Sequence, residues 1–152
     1  MALAHMRRTA AEFFALPAGR RRLALLSLCA HSLAVWDSHY SPGTSPSYQE
    51  SITGLVQELD VGLPREALQA AQRGSEGAGI QERYKEPIAA LQDQDLELPD
   101  AAKFAYYAIY NAFRCYVAGV DIEEKLILSQ ALSSLPEGEM YSAFCAALAD
   151  AG

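Results

Sequence analysis

The run Leu23–Trp36 (LALLSLCAHSLAVW) constrains this chain more than any other feature. A helix built from it is apolar nearly all round and has little to offer solvent. The run is also shorter than the ~20 residues that a bilayer span requires. Such a helix belongs at the centre of a bundle. Arg20, Arg21 and Arg22 precede the run, and basic residues ahead of an apolar stretch also open export signals. Here the run contains His31 and two serines, and no small-x-small cleavage site follows it. Leu28 occupies the position before Cys29, where a lipoprotein signal needs a small residue. A buried helix over about Arg20–Ser38 is the expectation.

Helical spacing and its punctuation extend along the rest of the chain. Thr9, with Glu12 three residues later, makes a capping box for a short helix over Ala10–Leu16. Residues 1–19 read as an N-terminal extension of looser order. Tyr40–Ser47 (YSPGTSPS) is a loop. Ser45 or Ser47 caps a helix to about Asp60, with Ile52, Leu55, Val56 and Leu59 on one stripe. Pro64 opens a helix to Arg73, with Leu63, Ala67, Leu68 and Ala71 on its inner side. Gly74–Gly79 (GSEGAG) is a flexible connection. It lacks the strand before it and the Lys-Ser/Thr after it that a phosphate loop needs. Pro87 either starts a short helix or kinks a longer one over 81–92, and Gln92–Asp100 is an acidic loop. Helices follow over Asp100–Val117, after Asp121 as cap with Glu124 in the capping-box position, and over Glu139–Ala149. With 152 residues, one domain is expected. The fold class is all-α, a single-domain antiparallel bundle of roughly six to eight helices.

Function is harder to read. The net charge is −7, which opposes nucleic-acid binding. The charge is uneven: residues 1–30 hold five arginines and Glu12, a net of +4, and the remainder holds seven basic and eighteen acidic residues, a net of −11. Cys29, Cys115 and Cys145 are widely spaced, with no CxxC, and suit buried thiols in a reducing cytoplasm. His31 and His39 would stand about 12 Å apart along a helix, too far to share one metal ion. His31 is expected near the core and His39 at a helix C-terminus. No HExxH, ExxH or GxSxG motif occurs. Cys29 and His31 point about 200° apart on a helix and form no nucleophile–base pair. No catalytic residue, metal or cofactor is expected.

The segment 100–117 is the most distinctive. Phe104, Tyr106, Tyr107, Tyr110, Phe113 and Tyr116 crowd one helix. Tyr106, Tyr110, Phe113 and Val117 trace a stripe, and Tyr107, Ala108 and Arg114 lie off it. Tyrosines combine rigid area with a polar tip, which suits a protein-binding face. Asp93, Asp95, Glu97 and Asp100 lie before this helix, and Asp121, Glu123 and Glu124 after it. Tyr107, Tyr110, Asp93, Asp95, Glu97, Asp121 and Glu124 are therefore the candidate partner-binding residues, with Trp36 lining the same groove. A basic protein is the partner such a surface fits. The alternatives are a structural or regulatory module, homodimeric through the aromatic helix, and a small-ligand bundle with a pocket around Trp36, His31 and the tyrosines.

The early apolar helix (LALLSLCAHSLAVWDS), the polar loop and the later AYYAIYNAFRCYVAG helix with its acidic cap resemble small all-α bacterial proteins over roughly residues 20–135. Among these are the immunity proteins of toxin systems and uncharacterised helical proteins of similar layout. The resemblance implies a non-enzymatic protein that binds and neutralises a cognate toxin. Cysteine usage suits the cytoplasm, the charge and the short apolar run oppose nucleic acid and membrane, and a monomer or homodimer is expected. Immunity proteins differ in their contact residues, so it assigns no binding residue here.

Overall fold

The computed structural model describes residues 2–41, 43–77 and 79–152. Pro17 separates the first two helices, α1 (Ala2–Ala15) and α2 (Ala18–His39). A short hairpin follows, β1 (Ser47–Gln49) and β2 (Val56–Glu58), and then α3 (Leu63–Arg73) and α4 (Ile80–Gln92). The chain continues through α5 (Asp100–Tyr116), α6 (Glu124–Ser134) and α7 (Glu137–Asp150). The result is an all-α, single-domain helical bundle, with seven helices among the described residues.

The apolar run becomes α2, which packs against α1, α3, α5, α6 and α7. Leu25, Leu28, Cys29, Ser32 and Trp36 recur every three or four residues and are buried. Burial is not all round, however, because Leu23 remains 57% exposed. The centre is shared with α5, whose alanines (Ala102, Ala105, Ala108, Ala112) let its neighbours approach while Tyr106, Ile109 and Phe113 fill the core. Ala108, read as lying off the buried stripe, is therefore inside it. Trp36 packs on Tyr106 with ring centroids 5.1 Å apart and planes tilted by 42°, and its indole N–H donates to the Val61 carbonyl at 2.8 Å. Tyr106 meets Tyr84 of α4 edge-on at 5.3 Å. One aromatic file thus joins α2, α5 and α4.

Three local expectations are corrected. Thr9 does not cap the first helix. It lies inside α1, and its hydroxyl donates to the His5 carbonyl at 2.8 Å. The helix extends to Ala2 because no proline or glycine precedes Pro17 and because Phe13 packs on Phe144 of α7 at 6.3 Å. Asp121 does not cap α6, which starts at Glu124 without a side-chain cap. His31 is exposed rather than near the core, because Cys29 on the opposite side takes the buried position. His39 does end α2, with Nδ1 lying 3.0 Å from the Val35 carbonyl.

The largest correction concerns residues 45–60, which form no helix. Tyr48 pairs with Gln57 and Gln49 with Val56 in an antiparallel ladder. Gly54, at φ +73°, supplies the left-handed conformation that reverses the chain, and its N–H donates to the Glu50 carbonyl at 2.8 Å. The β-branched Ile52, Thr53 and Val56 suit this outcome better than a helix. Of the supposed helical stripe only Leu59 is buried; Ile52 is 94% exposed. Pro87 sits inside α4, with its ring buried beside Tyr84 and Ile88.

The Tyr84 and Tyr106 hydroxyls are buried without a hydrogen-bond partner among the described protein groups. Each forfeits solvation with no protein contact in return. Tyr84→Phe or Tyr106→Phe should leave stability unchanged or raise it by up to ~1 kcal/mol in urea unfolding. A loss of that size would mean that the hydroxyl is satisfied.

Burial also pushes the Cys29 thiol up, from its ordinary 9.0 to about 12. The stability tied to the protonated thiol is complete below pH 9.0 and is lost as pH rises towards 12. The alkaline limb of a stability–pH curve should therefore fall by ~1.4 kcal/mol per pH unit from this group, and Cys29→Ala should flatten it.

Candidate functional site

The C-terminal half of α4 organises the surface where several candidate residues meet. Gln94, at φ 65°, turns the chain out of the helix, and the Leu96 N–H donates back to the Ala90 carbonyl at 3.1 Å. Leu96 and Leu98 are thereby buried, while Asp93 and Glu97 are exposed and Asp95 is half-buried. Alternating apolar and acidic residues are sorted by this turn into an inner and an outer set.

On one flank of α4 a cleft of about 520 Å³ opens towards α5 and α6. Tyr107, Tyr110 and Arg114 line it with Ile88 and Gln92. Tyr110 is held between the Tyr84 ring at 4.6 Å and the Arg114 guanidinium at 5.0 Å. Arg114 also reaches Asn111 at 3.4 Å, and Asn111 donates to Gln130 of α6 at 2.9 Å. Tyr107 has no such enclosure and is half-buried. Burial raises its phenol, and Tyr110 adds to the rise, so it presents a neutral hydroxyl near pH 7.

On the other flank the hairpin faces α4 across a hollow of about 460 Å³. Asp93, Asp95, Glu50 and Glu86 line this hollow, and no lysine or arginine is among the described residues lining it. Asp95 accepts hydrogen bonds from the Ser51 amide at 3.2 Å and from the Ser51 hydroxyl, fixing the hairpin turn to the acidic loop. The Tyr48 phenol is pushed up by its burial and further by Glu86, Glu50 and Asp95. Ala89 lines both hollows, so the tyrosines and the first two carboxylates flank one helical turn. Glu97 lines an adjoining depression with Gln92 and Lys103.

The remaining candidates lie elsewhere. Asp121 and Glu124 follow the far end of α5, a helix about 25 Å long. Asp121 is exposed. Glu124 is engaged: Arg21 donates to it at 2.8 Å and the Tyr116 hydroxyl donates to it at 2.5 Å. Arg22 lies over the Tyr116 ring at 5.4 Å and donates to the Ala71 carbonyl at 2.9 Å. Two of the N-terminal arginines thus tie α2 to α3, α5 and α6.

Trp36 has no accessible surface and lines no groove; its whole side chain is spent on the core. The pocket around Trp36, His31 and the tyrosines does not form. His31 lines a separate open groove of about 560 Å³ between α2 and α7. The hairpin is masked in the sequence because Ile52, Leu55, Val56 and Leu59 mimic a helical stripe. The signal that could have found it is Gly54 between β-branched residues.

Cys29 is buried, Cys115 and Cys145 are half-buried, and all three are free. Among the described residues no group of His, Cys, Asp and Glu is placed to hold a metal ion, and no helix is long and apolar enough to cross a membrane. The chain matches no protein-family model, no curated protein and no solved structure.

Both tyrosines are half-buried, but Tyr110 is braced by the Tyr84 ring and the Arg114 guanidinium, which gives a direct comparison. Tyr110→Ala should cost ~2–4 kcal/mol in urea unfolding, and Tyr107→Ala under ~1 kcal/mol. Glu124→Gln should cost ~1–2 kcal/mol by weakening the contacts with Arg21 and Tyr116, a range held low by their partial exposure. Thermal melts of the same variants should keep this order.

Proposed function

We propose that this chain is a non-enzymatic protein-binding module, most concretely an immunity protein that binds and occludes a cognate bacterial toxin in the cytoplasm. The observation that carries the proposal is the convergence at the end of α4. A half-buried tyrosine, a braced tyrosine, an exposed carboxylate and a half-buried one flank a single helical turn. Tyrosine anchors rimmed by charge are the composition of energetic centres in protein interfaces. The free thiols suit a reducing compartment.

Occlusion requires no chemistry from this chain. The tyrosines supply contact area, and the carboxylates steer a basic partner into place and select against acidic ones. Tyr107 is the better anchor because Tyr110 is already braced by the Tyr84 ring and the Arg114 guanidinium. Glu124 contributes to the fold before it contributes to any interface, and Trp36 contributes only through the fold.

Co-expression tests this. The product of the neighbouring open reading frame in the source genome is expressed with and without this chain. Growth arrest reversed by this chain is the expected result; arrest without rescue, or no arrest, counts against the immunity proposal. In the purified complex, Tyr107→Ala should weaken binding ~30-fold or more, equivalent to ~2 kcal/mol. Asp93→Asn should mainly slow association and reduce its dependence on salt.

A further inference from the structure

The hairpin carries an exposure that the fold itself does not need. Ile52 is 94% exposed, Val56 69% and Leu55 58%, which places three large apolar side chains in water within five residues. Scattered surface hydrophobics are ordinary, but a cluster at the tip of a projecting element marks a contact site. The hairpin is also held firmly. Its ladder closes at Glu50–Leu55 with a 2.9 Å bond, Tyr48 is buried beneath it, and Asp95 fastens the turn through Ser51. These contacts tie the apolar tip to the bundle, which lowers the ordering cost of an encounter.

The surroundings decide what fits. Residues 40–62 hold three carboxylates and no lysine or arginine, and residues 86–102 hold five carboxylates and none. Glu50, Glu86, Asp93 and Asp95 face one another across the hollow beside the tip. An apolar knob beside a hollow whose charged side chains are all carboxylates is complementary to an apolar socket with a cationic rim.

We propose that the hairpin tip, with the carboxylate-lined hollow between it and α4, is the docking face for a protein partner that presents an apolar socket rimmed by lysines and arginines. It rests on the protein-binding proposal above and names which face leads. Ile52, Leu55 and Val56 enter the socket, and Glu86, Asp93 and Asp95 take its cations. The tyrosine cleft on the other flank of α4 then lies at the edge of the footprint.

The probe is a synthetic peptide alternating arginine and leucine, titrated into the isotope-labelled full chain and followed by amide NMR shifts. One control peptide replaces arginine by glutamate, and another replaces leucine by serine. The expected result is saturable shifts confined to residues 50–58 and 86–95, with at least tenfold weaker response to either control. Ile52→Ser and Asp93→Asn should each weaken the response severalfold; both residues are exposed, so both variants should fold as the parent does. Equal response to the arginine–serine peptide would reduce the effect to charge alone and overturn the proposal. Shifts centred on Tyr107 and Arg114, or no saturable shifts, would overturn it as well. Rescue of growth in the co-expression experiment alongside any of these failures would locate the fault in this face and leave the binding function standing. Failed rescue alongside the expected shifts would locate it in the choice of toxin.

Discussion

The packing of α2 on α5 through Trp36 is the constraint on which the rest depends. An indole with no accessible surface must satisfy its N–H inside the protein, and the Val61 carbonyl does so at 2.8 Å. That one bond fixes where the chain enters α3, since Val61 immediately precedes Gly62 and Leu63. The indole face fixes Tyr106, and Tyr106 fixes Tyr84. The position of α4, and with it every candidate surface residue beside α4, follows from a contact made well inside the bundle.

Polar contacts complete this arrangement both inside the bundle and at its periphery. Ser32 of α2 and Ser134 of α6 meet at 2.8 Å in the interior, so a small hydroxyl pair is buried without orphaning either group. Arg83 of α4 reaches Asp60 and also Glu66 of α3 at 2.7 Å, which holds α4 against the end of the hairpin segment. Arg65 reaches Asp37. These outer pairs are exposed enough that each contributes little to stability. Their value lies in setting direction, because they join elements whose apolar contacts alone would allow sliding.

The candidate site inherits its character from this scaffold. The turn at Gln94 separates Leu96 and Leu98 from Asp93 and Glu97, so a mixed segment becomes an apolar anchor and an acidic rim. Because α4 lies between the hairpin and α5, residues around positions 50, 93 and 107 come within one footprint. A flat helical face would not achieve that. The protein-binding proposal draws on this convergence and not on any single motif.

Local spacing by itself determined the helices from Leu63 onward to within a few residues, except the start of α4, which Pro87 left open, together with the central place of the Leu23–Trp36 run and the burial of Cys29. Each of these depends on neighbours within about four residues, where helix periodicity and Pro or Gly breaks operate. Tertiary structure alone decided the rest. The stripe at 52–59 satisfied helical spacing, yet Tyr48 found a buried position on the bundle and Gly54 closed a hairpin. The arginines at 21 and 22 read as a basic N-terminus. One is paired with a glutamate 103 residues away, and the other lies on an aromatic ring, so neither stands as a free charge. Trp36 could have been a surface anchor by composition, and only the core behind it made it a buried one. A sequence window records which side chains a short element can bury. Which of them are buried depends on the surface that distant elements supply, and that surface exists only once the chain has folded.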